Sequence, residues 1–133
     1  MARARIKPSP RHVDELMAEK SAVLSKAQAL TAIGLLETAQ PLWASAASYE
    51  ERIASLLDAH GDSREAAVHR ISAASCYPKA GDPSRATNLF RAALAGPLRA
   101  VTRRQVVDML SECLALLTQA APAKKRLAAL ATE

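Results

Sequence analysis

The chain has 133 residues, half of them hydrophobic but only 3% aromatic, with four glycines, two cysteines and a formal net charge of +5. That length suits one domain able to bury roughly two-thirds of its unfolded surface. A core of alanine and leucine, with few runs of β-branched or aromatic residues, argues against a sheet and for closely packed helices, so the expected class is all-α.

Pro8 and Pro10 give residues 1–10 the reading of a disordered basic arm. From Arg11 to Ala39 no proline intervenes, and Val13, Leu16, Lys20, Val23, Ala27, Leu30 and Gly34 step by three and four alternately. This predicts one long helix, its apolar seam interrupted by Lys20 and Gly34 and its end set by Pro41. A second helix follows from Pro41 to His60, with Leu42, Ala46, Tyr49, Ile53, Leu56 and Leu57 on one face and Gly61 as its stop. Asp62 or Ser63 caps a third, whose apolar side is Ala67, Ile71 and Ala74 and which Pro78 should end or kink. Gly81, Asp82 and Pro83 make a stop, a cap and a first-turn proline for a fourth helix over 83–95, burying Ala86, Leu89, Phe90 and Ala93. Gly96-Pro97 breaks the chain before a fifth helix over 99–120, with Val106, Leu110, Cys113, Leu114 and Leu117 on its apolar side. The main helical domain is thus placed at 11–121. Beyond it, 122–133 reads as a basic tail or a short sixth helix after Pro122.

The charge is unevenly spread. Residues 13–121 hold eleven basic and twelve acidic side chains, so the excess of positive charge belongs to the two ends. Within that body, 13–62 carries three basic and eight acidic groups, and 63–121 carries eight basic and four acidic. An acidic half therefore precedes a basic half, which bears on the choice of partner.

The chemistry of common sites is missing from the motifs. The glycines stand singly, which leaves no phosphate loop, and neither Cys-x₂-Cys nor His-Glu-x-x-His occurs. Asp58, His60, Asp62, Glu65 and His69 gather around one turn without a recognised ligand spacing, and a cap with a solvated face explains them better than a metal does. No cofactor is expected. Cys76 and Cys113 lie among apolar residues, where a free cysteine behaves as a small hydrophobe. Trp43 is expected in the core. No apolar run nears the roughly 18 residues of a membrane span, and no apolar stretch follows the basic N-terminus as a secretory signal requires. A soluble cytoplasmic protein without membrane contact is the expectation.

Two segments, "LLDAHGDSREAA" and "CYPKAGDPSRAT", align with a shift of 20 residues around Gly-Asp. Ala73, Ala74 and Tyr77, followed by Gly81, Ala86, Phe90 and Ala93, match positions of the tetratricopeptide signature, with Arg70 where that signature has an aromatic and Pro97 one residue early. Over residues 67–100 the chain resembles a tetratricopeptide-repeat protein. The resemblance implies antiparallel helical hairpins stacked as a short solenoid or bundle of five main helices. It also implies a non-enzymatic adaptor, with the first helix of each hairpin lining a groove for a partner peptide. Carried onto this sequence, the groove is Val68, Ile71, Ser75 and Lys79, joined by Arg104 and Asp108 from the fifth helix. Lys79 and Arg104 would favour an acidic partner protein or peptide. The long first helix would cap so short a stack, or homo-oligomerisation would complete it. A nucleic-acid-associated regulator held by its basic tails is the alternative, with Arg103 and Arg104 as weak candidates for DNA contact.

Overall fold

The computed structural model describes residues 10–131; of the basic arm expected over 1–10, residues 1–9 lie outside the described residues and Pro10 opens the first helix. Five helices follow one another: α1 Pro10–Ala32, α2 Leu36–Ala59, α3 Ser63–Cys76, α4 Pro83–Leu94 and α5 Ala100–Ala131. No strand occurs among the described residues, and the all-α class stands. None of the helices is long and apolar enough to cross a membrane.

The first three turns share one device. At Gly34, Gly61 and Gly81 the backbone takes φ of +84°, +83° and +86°, a left-handed conformation open to glycine at little cost. Each turn then closes in the same way. The N–H of the residue after the glycine reaches back five residues, Leu35 to the Leu30 carbonyl (2.9 Å), Asp62 to Leu57 and Asp82 to Tyr77 (both 2.8 Å). This satisfies a carbonyl orphaned at the helix end. Asp62 and Asp82 then cap α3 and α4 by accepting from the Glu65 and Arg85 amides at 3.3 and 3.2 Å. Pro78 marks the end of α3, which stops at Cys76.

Two boundaries differ from the sequence expectation, and both turn on proline. The first helix stops at Ala32 rather than Ala39, because Gly34 makes the left-handed stop and Leu35 closes it. Pro41 consequently lies inside α2. There it removes one backbone bond near the exposed start of the helix, and its flanking turns keep theirs. Pro122 likewise does not separate a sixth helix. The residues after it are strong helix formers, and α5 continues through it to Ala131. Between α4 and α5 there is no left-handed glycine among the positive-φ residues. Arg103 closes that corner instead, donating to the Leu94 carbonyl (2.7 Å) and the Gly96 carbonyl (3.2 Å). Its guanidinium thus caps the end of α4 and is engaged within the fold.

Each helix packs on its neighbours in sequence, α1 on α2, α2 on α3, α3 on α4 and α4 on α5. Side-chain pairs give the directions. Trp43 Nε1 donates to Thr31 Oγ1 at 2.9 Å while Glu50 meets Lys20, so α1 and α2 are antiparallel. Glu51 meets Tyr77 just past α3 while Asp58, further along α2, pairs with Arg70 earlier on α3, so α2 and α3 are antiparallel too. Because α3 has helices on both sides, its alanines are buried in two pairs, Ala66 with Ala67 and Ala73 with Ala74. Small side chains on both flanks let α2 and α4 approach closely. Phe90, Ile53 and Val106 are the largest fully buried side chains.

Candidate functional site

Alternate helices do not touch extensively, and what fills the gap between α1 and α3 differs from what fills the gap between α3 and α5. Between α1 and α3 the gap is closed by charge. Glu50, 4% exposed on α2, holds Lys20 Nζ of α1 at 3.6 Å and His69 Nδ1 of α3 at 2.7 Å. A carboxylate only accepts, so the His69 Nδ1–H is the donor. Lys20, which breaks the apolar seam in sequence, is there as the counter-charge to a buried acid. Asp58 and His69 of the acidic turn are thus committed to Arg70 and Glu50. Among the described residues no three His, Cys, Asp or Glu side chains converge as a metal site.

Between α3 and α5 the gap is open. The two helices run parallel, marked by Ser75 Oγ at 3.8 Å from Met109 Sδ, and two clefts lie along the trough between them. The larger, about 510 Å³, is lined by Ser75, Pro78 and Lys79 from the α3 end, Phe90 from α4, and Met109, Cys113 and Leu116 from α5, with Glu112 opposite Lys79. The smaller, about 260 Å³, has Arg64, Glu65 and Val68 on one side and Leu98, Arg99 and Thr102 on the other.

No protein-family model, curated protein or solved structure matches the chain.

Of the six groove positions expected from sequence, Ser75 and Lys79 line the larger cleft and Val68 the smaller. Ile71 is half-buried against the core between them. Arg104 and Asp108 are exposed on α5 and line neither cleft. Each residue turns an α-helix by about 100°, so Asp108 stands one step around from Met109 and Arg104 two steps from Thr102. Met109, Cys113 and Leu116 were missed, although an offset of 34 residues finds three of the α5 partners. Val68 with Thr102, Ser75 with Met109, and Lys79 with Cys113 each face a common cleft.

Lys79 Nζ lies 4.7 Å from the centroid of the buried Trp43 ring, a cation–π contact that holds the ammonium at the cleft wall. Burial raises the Cys113 thiol, with Glu112 adding to it. Burial, aided by Glu50, pushes the Cys76 thiol up to about 11. Both thiols are therefore protonated at neutral pH, and the thiolate is the nucleophile. Tyr77 donates its hydroxyl to Glu51 under the Arg85 guanidinium, and is pushed up to about 12 by burial and that bond. It ties the α3–α4 elbow to α2.

Proposed function

We propose that the chain is a non-enzymatic adaptor of the cytoplasm, a tetratricopeptide-like helical stack that holds a peptide segment of a partner protein in the α3–α5 trough. The observation that carries this reading is the open cleft of about 510 Å³ floored by Phe90. A concave apolar site with a few placed polar groups is what a bound side chain requires. The 34-residue offset between facing lining residues supports the repeat-like reading, since that is the period of the family the sequence resembles. The contrast with the α1–α3 gap supports it further, because there the same space is filled by Lys20, Glu50 and His69.

The test is a binding measurement on the partner segment that photo-crosslinking identifies, with the crosslinker placed at Gln119 on the cleft rim. Lys79→Glu with Leu116→Asp should reduce affinity at least tenfold, about 1.4 kcal/mol, with folding intact because Leu116 is 49% exposed. Arg104→Glu, outside both clefts, should leave affinity unaltered. Equal affinities for all three proteins would exclude the trough as the binding site.

A further inference from the structure

The two clefts of the trough differ in charge, and the difference specifies a ligand. In the larger one Lys79 and Glu112 offset each other, and the ammonium is already turned over Trp43. What remains there is an apolar surface, with Phe90 as floor and Met109 and Leu116 as wall. In the smaller one two guanidinium groups, Arg64 and Arg99, face a single carboxylate, Glu65. Other arginines of this half of the chain serve the fold: Arg70 pairs with Asp58, Arg85 with Glu51, and Arg103 with two backbone carbonyls. Arg64 and Arg99 make no ion pair among the described residues. The positive end of the trough is therefore at the start of α3 and α5, opposite to the end that Lys79 occupies.

The separation of the clefts follows from helix geometry. Thr102 in the smaller cleft precedes Met109 and Leu116 in the larger by 7 and 14 residues, or roughly 10 and 21 Å at 1.5 Å per residue. An extended peptide advances about 3.3 Å per residue, so three to six positions cover that distance. We propose that the trough reads a two-part linear motif, an Asp or Glu held by Arg64 and Arg99 and a bulky apolar side chain seated on Phe90, three to six positions apart. The proposal rests on the adaptor reading and adds to it the chemistry and spacing of the segment recognised. Arg fits the first part because its planar fork meets a carboxylate through two parallel hydrogen bonds. Glu65 lowers the positive potential of its cleft, so its removal should strengthen binding.

The experiment is fluorescence anisotropy of the full chain with fluorescein-labelled synthetic peptides. Each carries one Phe and one Glu separated by one to ten positions of Gly and Ser spacer. Affinity should peak at three to six positions. It should fall at least tenfold outside that window, in the Glu→Gln peptide, and in the Arg64→Glu/Arg99→Glu protein, both sites being exposed. Glu65→Gln should tighten binding by a few-fold at low salt and by less at high salt. Circular dichroism confirms that each variant is folded. Affinity that ignores spacing, or survives reversal of both arginines, overturns the proposal. If such peptides still bind and Leu116→Asp removes the binding, the adaptor reading stands without the two-part motif. If no peptide of the set binds, the proposal also fails. The crosslinked segment then decides the adaptor reading on its own.

Discussion

Replacing Glu50 by alanine should lower the free energy of unfolding by about 3–5 kcal/mol, the range for removing one member of a buried charge pair. The carboxylate is 4% exposed and has two partners on two different helices. Without it, Lys20 and His69, whose side chains are only 15% and 12% exposed, face one another across an empty space. Lys20 has a long stem and can swing its ammonium to water, which places the cost toward the lower end of that range. Glu50→Gln keeps the volume and an oxygen that accepts from His69 but loses the charge opposite Lys20, and should cost about 1–2 kcal/mol. The apolar triple variant Lys20→Met, Glu50→Met, His69→Leu should recover most of the loss, because well-packed hydrophobic replacements of buried ion networks are often neutral. Urea denaturation followed by circular dichroism reads these differences as shifts of midpoint at constant slope. A loss below about 0.5 kcal/mol for Glu50→Ala, against the range expected for a buried pair, would refute the argument. So would Glu50→Gln proving as costly as Glu50→Ala.

Phe90→Ala should destabilise by about 3–5 kcal/mol, since Phe90 is 1% exposed and floors the larger cleft; an unchanged denaturation midpoint would contradict its place in the core. Gly81→Ala should cost about 1–2 kcal/mol through its φ of +86°, measured by the same titration, and a neutral result would mean the turn readily adopts another conformation. Stability should fall as pH rises from about 9 to about 11, because the unfolded chain releases the Cys76 proton near its ordinary value of 9.0 while the folded chain holds it to about 11. Over that interval the native state binds more protons than the unfolded state, so the slope of unfolding free energy with pH is negative. Cys76→Ala should reduce the slope, leaving the part due to Cys113 and Tyr77, whose protons the folded chain also holds more tightly, and an unaltered slope would place its origin elsewhere.

The stops and caps around Gly61, Gly81, Asp62 and Asp82 were legible because each is a local event, decided by a left-handed glycine or a side-chain oxygen within a few residues. Pro41 and Pro122 were not, since whether a proline ends a helix depends on the turns that continue beyond it. The seam of the first helix was readable in its spacing, and Leu16 and Ala27 on it are buried. Lys20 had no visible reason, because its partner Glu50 is 30 residues away on another helix. The same limit applied to the trough. Ser75 and Lys79 could be placed, but turning α5 to present Met109 and Leu116 rather than Arg104 and Asp108 requires the register between helices.

Contacts made chiefly between consecutive helices have a consequence for how the chain reaches this structure. Thr31 finds Trp43 twelve residues on, Asp58 finds Arg70 twelve residues on, and Arg103 reaches back nine residues to Leu94. Each closes a short loop, and the entropy of closing a loop grows only slowly with its length. A molecule assembled from such closures has low contact order and belongs with the fast-folding helical proteins. Its hairpins can form in any order, each completed turn presenting a surface on which the next helix docks.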